Sequence, residues 1–330
     1  MHYIYQENIS FMFRDKKVLV TGGSGMIGRQ LVKLLQEEFA DVYIADLNEP
    51  LNMDNITFKR VDLTDYESCC YVCSGMDYVF NLVGIKCSPK VIQERPADIM
   101  TPMLQFNTNM MGAAMENNVE WYLYTSTVGV YGEAEIFKEE NVWKTFPSKH
   151  DWFGGWAKRM GELQAEAYSI QNKKSNVSIV RPANVYGPYD NFDTDNAMVI
   201  PSLIRKAHEN EFLSVWGDGS PVRDFIYSED VARGMLHMVK NKITEPVNLG
   251  SGTGVTIKEL ATTIASELGR EIKWDTDKPM GDKVRLFDTS RAESYGFNPS
   301  VSLKDGISKT VRWFLNNLDI IDKRYNVFNK

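Results

Sequence analysis

The run Lys17-Val18-Leu19-Val20-Thr21-Gly22-Gly23-Ser24-Gly25-Met26-Ile27-Gly28 carries a short apolar strand into a glycine-rich turn. An amphipathic helix follows at once, with Leu31, Leu34, Leu35 and Phe39 on its apolar side. Such a strand–turn–helix can set backbone N–H groups, those of Met26 and Ile27 among them, against a pyrophosphate at a helix N-terminus. The glycines fall at Gly22, Gly25 and Gly28. Turns collect glycine for steric reasons alone, so the context has to carry the argument. It is supplied by Asp46, which ends a second apolar strand 18 residues beyond Gly28. A carboxylate there accepts hydrogen bonds from both ribose hydroxyls and repels a 2′-phosphate, which points to NAD rather than NADP. After a third strand, Asp62 and Leu63 stand where an adenine amino group would lie.

Further along are other groups able to do chemistry. Thr125-Ser126-Thr127 closes a fifth strand and leads to Val130-Tyr131-Gly132. Lys158 sits one turn into a helix with Glu162 four residues on, the spacing that puts two side chains on one helix face. Asn184, Arg223 and Arg285 lie in later segments, where an Arg can hold a phosphate by a two-pronged hydrogen bond. Cys70 and Cys73 form C-x-x-C, yet no second cysteine pair or nearby histidine completes four zinc ligands, so no metal site is expected. The stretch 66–73 reads as a helix that uses Cys69, Cys70 and Cys73 as small apolar residues; with Cys87, they are expected to be reduced thiols of a cytoplasmic protein.

These residues need elements to position them. Strands are expected near 17–21, 42–46, 56–61, 77–82, 121–126 and 177–181, alternating with helices near 66–73, 97–117 and 156–171. This alternation implies a doubly wound α/β fold, a Rossmann-type parallel sheet covered on both faces. Beyond Pro182 the pattern becomes irregular, with helices near 200–209, 228–240, 256–268 and 303–316 and short strands between them. A dinucleotide-binding domain over 1–181 and a smaller α/β substrate domain over 182–330, partly interleaved with it, are the expected organisation. A ligand then belongs at the C-terminal edge of the sheet.

Composition narrows the partners. With 330 residues, 43% of them hydrophobic and 25% charged, the chain has the make-up of an ordinary globular protein. Its net charge of −7 argues against nucleic acid as a partner. No apolar run approaches the roughly 20 residues of a membrane span. The opening Met1-His2-Tyr3-Ile4-Tyr5-Gln6-Glu7-Asn8 lacks the order of a signal peptide and is expected to form an N-terminal helix or arm.

Taken together, the glycine turn, Thr125–Thr127, Lys158, Asn184-Val185-Tyr186-Gly187-Pro188, Val215-Trp216-Gly217-Asp218-Gly219 and Arg223-Asp224-Phe225 resemble the extended short-chain dehydrogenase/reductases, the NAD-dependent nucleotide-sugar epimerases and dehydratases. The resemblance spans roughly residues 17–316 and is strongest toward the GDP-sugar members that epimerise C3 and C5 and then reduce C4. It implies a nucleotide-diphosphate sugar as ligand, with Asn184 on the sugar–diphosphate and Arg223 on a diphosphate oxygen. By the same resemblance Arg285 contacts phosphate or ribose, Lys158 the nicotinamide ribose, and Thr127 the reacting sugar oxygen. It also implies a homodimer built as a four-helix bundle from the helices near 97–117 and 156–171, with Gly112, Ala113, Ala114, Gly161 and Ala165 allowing close approach.

Departures from that family are as informative. Its acid–base Tyr, four residues before the Lys, is replaced here by Gly154. The epimerising Cys is replaced by Gly129 and its partner His by Met198. Three readings follow: a nucleotide-sugar enzyme with another proton-handling residue, a catalytically silent NAD and nucleotide-sugar binder, or an oxidoreductase on an unrelated small molecule. Candidates for the proton are Lys158 itself, His150 and Asp151 if Gly154-Gly155 makes a turn, and Glu133 or Glu135.

Overall fold

The computed structural model describes residues 11–86, 89–193, 195–278 and 282–321; the expected N-terminal arm and Cys87 lie outside the described residues. In chain order, β1 (Lys17–Thr21), α1 (Met26–Glu37), β2 (Asp41–Asp46), β3 (Thr57–Arg60), α2 (Tyr66–Cys73) and β4 (Tyr78–Asn81) come first. They are followed by α3 (Pro89–Glu94), α4 (Pro96–Glu116), β5 (Trp121–Thr125), β6 (Ile136–Phe137), α5 (Trp152–Asn172), β7 (Val177–Pro182) and β8 (Asn184–Tyr186). The remainder is α6 (Val199–Glu209), β9 (Phe212–Trp216), β10 (Val222–Tyr227), α7 (Ser228–Lys240), β11 (Val247–Leu249) and β12 (Gly254–Thr256). Last come α8 (Ile257–Leu268), β13 (Glu271–Asp275), β14 (Val284–Phe287), α9 (Ser290–Ser294) and α10 (Leu303–Asn316).

Seven strands form one parallel sheet in the order β11-β7-β5-β4-β1-β2-β3. This is a Rossmann-like α/β fold. The chain reverses direction across the sheet between β1 and β4, where Thr21 donates to Asn81 at 2.6 Å. Val18, Leu19 and Val20 are fully buried, as expected for a strand covered on both faces. On one face α1 turns Leu31, Val32 and Leu35 inward and packs beside α7. On the other, α2, α4 and α5 bury Cys69, Cys73, Phe106, Met110 and Ala157. Cys69, Cys70 and Cys73 are free thiols, and burial raises the Cys69 thiol to about 12, so it stays protonated as a small apolar group.

Chain beyond Pro182 is shared. α7 and β11 return to the seven-stranded sheet, while β12-β10-β14-β6, with β8 beside β10, forms a second sheet. The parallel pair β13-β9 is a third. Around these a separate core gathers Phe192, Ile204, Leu213, Leu260, Ile264 and Phe314. Local signals fix its helices. The Thr256–Glu259 capping box starts α8 and Gly269, at φ +62°, ends it, while Ser302 caps α10.

Two expectations are corrected. α5 begins at Trp152, so Gly154 and Gly155 lie within a helix and make no turn. The small residues do not form an open face either. Gly161 lies against Tyr124, whose ring atoms would sit 2.3 Å from a Cβ there, and Gly112 lies beside Tyr66 and Tyr168. Ala113, Ala114 and Ala165 are buried within the same chain. Small side chains here let α4 and α5 approach the sheet and one another. Among the described residues no helix is long and apolar enough to cross a membrane.

Candidate active site

Parallel strands bring the C-terminal ends of β1 to β5 to one edge, and the glycine turn lies there. Gly22 has φ +67°, a left-handed conformation that favours glycine, and its N–H donates to Ala45 O. A Cβ on Gly28 would come 2.3 Å from the Gly22 carbonyl oxygen, so α1 can meet the turn only at a glycine. Gly25 occupies the N-cap of α1 without a side-chain cap, leaving the first-turn N–H groups, those of Met26 and Ile27 included, facing outward for an anion. Beside the turn, Asp46 accepts from Ser24 N at 3.2 Å and Asn48 N at 3.1 Å, which fixes its carboxylate at the end of β2. Asp62 is exposed and accepts from Thr64 N and Oγ1, while Leu63 is buried and its carbonyl faces the Cys69 thiol. Deeper in the same edge, Asn81 Nδ2 and Thr125 Oγ1 are buried without a partner among the described residues. The cradle, the ribose-side carboxylate and the unpartnered polar atoms fit a dinucleotide.

Lys158 is buried on α5 and donates to Thr125 O at 2.8 Å and Asn107 Oδ1 at 3.3 Å. Its ammonium lies 5.1 Å from the centre of the Tyr124 ring. Burial pulls its pKa down to about 7, opposed by the charge of Glu162 one turn on. Glu162 is itself held. Arg181 grips both carboxylate oxygens, at 2.9 and 2.7 Å, and Ser126 Oγ donates to one of them at 2.5 Å. Arg181 also donates to Tyr131 OH, which in turn donates to Asn248. This buried polar network makes a rigid floor beneath Thr125–Thr127. Thr127 is half-buried and its hydroxyl oxygen accepts from Gly129 N at 3.3 Å.

The second sheet supplies the cations. Arg223 and Arg285 are register partners on the parallel strands β10 and β14. Each positive charge opposes the other: burial and the neighbouring Arg285 both push the Arg223 pKa down. Arg223 donates to Val222 O and Asp282 O and has no ion-pair partner within 4 Å among the described residues. Arg285 is paired with Asp151 at 2.9 Å and lies 3.8 Å from Asp282. It also lines a cleft of about 220 Å³ with Glu133, Glu135 and Ser148. Asn184 donates to Asp224 O at 2.8 Å. Among the described residues no cluster of three or more His, Cys, Asp or Glu is placed to hold a metal ion.

Sequence reasoning passed over Asn107 and the Tyr131–Asn248 pair. Asn107 did carry a signal, an amide within the buried apolar set Met103, Phe106, Met110 and Met111 of α4. Gly154 stands four residues before Lys158, and a Cβ there would meet nothing within 4 Å.

Fold and site define an extended short-chain dehydrogenase/reductase, an NAD(P)-dependent class with a glycine cradle at the sheet edge. Residues 18–250 match the NAD dependent epimerase/dehydratase family, and the chain belongs to it. It is 32% identical to GDP-L-fucose synthase 1 of Arabidopsis thaliana, over 96% of this chain and 98% of that protein. Among solved structures it is similar to the epimerase Mth375 of Methanothermobacter thermautotrophicus, at TM-score 0.82 and 28% identity, covering 95% of this chain and 96% of that one. It is also similar to the UDP-N-acetylglucosamine 4-epimerase of Methanobrevibacter ruminantium M1 in complex with UDP-N-acetylmuramic acid, at TM-score 0.81 and 26% identity over 92% and 99% of the two chains.

Proposed function

We propose that this protein is an NAD-dependent enzyme acting at C4 of a hexose carried on a nucleoside diphosphate. The observation that carries the reading is the register pairing of Arg223 with Arg285, two cations held side by side at some electrostatic cost that a diphosphate would repay. Supporting it, the relatives named above are a GDP-sugar synthase and a UDP-sugar epimerase.

When bound in the glycine cradle, the dinucleotide supplies a two-electron acceptor and donor. Asp46 selects the cofactor without a 2′-phosphate. Gly22, Gly25 and Gly28, with Met26 and Ile27, take the pyrophosphate, and Asp62 with Leu63 faces the adenine. Lys158 holds the nicotinamide ribose, which requires its ammonium to turn from Thr125 O and Asn107. Thr127 donates to the reacting sugar oxygen, and Asn184, Arg223 and Arg285 hold the diphosphate. Gly154 stands where a phenol would exchange the proton, so that role falls to another group. In this reading residues 1–181 bind the cofactor and residues 182–330 the sugar nucleotide. Two copies would pair through the outer faces of α4 and α5, with Leu163 and Ile170 of α5 exposed there.

The test is a panel of GDP-, UDP-, dTDP- and CDP-sugars followed by NADH absorbance, together with mass spectrometry of ligands that co-purify. One observation favours a second reading, a silent binder: nothing fills the space beside Gly154. Ligand binding without product from any member of the panel would select it.

A further inference from the structure

Asp151 stands at the N-cap of α5, where its carboxylate makes no capping hydrogen bond. One of its oxygens is fully engaged: Oδ2 accepts from Arg285 at 2.9 Å and from Ser148 Oγ at 3.2 Å. Oδ1 has no hydrogen bond among the described residues. The Asp151 side chain lies alongside Gly129, its Cβ 3.2 Å and Oδ1 3.3 Å from where a Cβ on that residue would be. Gly129 in turn donates its N–H to Thr127 Oγ1. The unbonded oxygen therefore lies beside Gly129, two residues after Thr127, while Arg285 holds the other oxygen of the same carboxylate. A side chain at position 129 would crowd it, so glycine there makes room for the carboxylate.

Arg285 has two competing uses. Its guanidinium is the partner of Asp151 and also the register neighbour of Arg223. An arriving diphosphate presents more negative charge than one carboxylate, and in a form that matches the guanidinium fork. Both members of the Asp151–Arg285 pair keep some solvent exposure, 24% and 18% of the side chain, so the exchange needs no deeply buried charge to be stranded.

We propose that Asp151 is the proton-exchanging carboxylate of this site and that Arg285 holds it until a substrate diphosphate draws the guanidinium away. This rests on the nucleotide-sugar reading above and assigns the role that Gly154 leaves open. In the oxidising direction the proton of the sugar hydroxyl passes to Asp151 Oδ1. The electron pair of that O–H bond becomes the second C4–O bond as C4 gives up its hydrogen with the C–H pair, as hydride, to the two-electron acceptor that the glycine cradle would hold, and the Thr127 hydroxyl donates a hydrogen bond to the oxygen. In the reducing direction hydride returns to C4, the second C4–O bond opens onto oxygen, and the protonated carboxyl returns the proton there. Ser148 keeps Oδ2 oriented throughout.

Calorimetry with GDP, UDP, dTDP and CDP, without cofactor, reads the first half of the proposal. Asp151→Asn should bind the preferred diphosphate about two- to fivefold more tightly than the native protein, the yield of removing a partly exposed competitor. Arg285→Gln should weaken binding, and Asp151→Asn added to it should have no further effect on affinity. Turnover on the sugar panel reads the second half. Asp151→Asn should lose about two to four orders of magnitude, and Asp151→Glu should retain more rate than the amide. Unchanged or weaker diphosphate binding by folded Asp151→Asn overturns the gate, and turnover kept within a few fold overturns the proton role. If the amide variant fails to fold, turnover within a few fold of native in Asp151→Ser together with native diphosphate affinity in Arg285→Gln overturns both. Absence of diphosphate binding by the native protein overturns the nucleotide-sugar reading itself, an outcome distinct from the others because no variant then changes anything.

Discussion

Glu162 and Arg181 meet as a two-pronged ion pair, 2.9 and 2.7 Å long, with only 2% and 1% of their side chains exposed. Glu162 lies one helical turn beyond Lys158 on α5 and Arg181 on β7, and Ser126 and Tyr131 bond to atoms that the pair leaves over. Burial alone would lower the Arg181 pKa, and the attraction and hydrogen bonds of Glu162 outweigh it and raise the pKa further, so Arg181 stays charged. Breaking one partner strands the other in a low-dielectric interior. Glu162→Gln is expected to cost about 3–5 kcal/mol in a urea titration. A loss under 1 kcal/mol would mean that water reaches this floor.

Lys158 gives a pH dependence whose sign is fixed. Burial lowers its pKa from 10.5 to about 7. Between those values the unfolded chain holds a proton that the folded chain has released, so stability rises with pH across that window. The cost is fully present below pH 7. Urea midpoints measured from pH 7 to 9 should rise for the native protein relative to Lys158→Met. Parallel curves would show Lys158 to be charged when folded.

In the proposed function, cofactor choice turns on Asp46. The native protein should bind NADH more tightly than NADPH by about one to two orders of magnitude, the scale of a carboxylate meeting a phosphate near a protein surface. Asp46→Arg should reverse the preference. Equal native affinities by fluorescence titration would remove the assignment.

The glycine cradle should tolerate no side chain at Gly28. Overpacking against the Gly22 carbonyl is expected to cost about 1–3 kcal/mol in Gly28→Ala and to abolish measurable NADH binding. Retention of NADH binding would show that the turn can open without loss.

Gly154 behaves oppositely, because the space beside it is open. Gly154→Tyr should fold and gain a few tenths of a kcal/mol from helix propensity. With Asp151 handling the proton, it should leave turnover in the native background within a few fold. A rise of two orders or more would show a site disabled by the missing phenol.

Much of the cradle was legible along the chain because its demands are local. Gly22, Gly25 and Gly28 answer to the backbone of their own turn, and the apolar runs of β1, β2 and β5 announce strands buried on both faces. Short strands such as β6, β12 and β14 were not legible, since at two to four residues they exist only through the neighbours they pair with. Gly154-Gly155 was open to either a turn or a helix. Packing chose the helix: a Cβ on Gly155 would come 2.2 Å from the Gly129 carbonyl, so close seating of α5 requires the residue that also suits a turn.

By itself the sequence determined the Rossmann-like order, the cofactor turn, the acidic end of β2 and the identity of the cations, because each follows from residue type and spacing within one or two elements. Tertiary structure alone decided which of these charges meet. Asp151 and Arg285 are 134 positions apart yet form an ion pair, and Arg223 and Arg285 belong to different strands yet sheet register sets them side by side. It also decided that the small residues of α4 and α5 serve the packing of a single chain. The reason is physical: steric limits and hydrogen-bond needs act over a few residues and are written locally, whereas burial and charge pairing depend on which distant segments the core brings together.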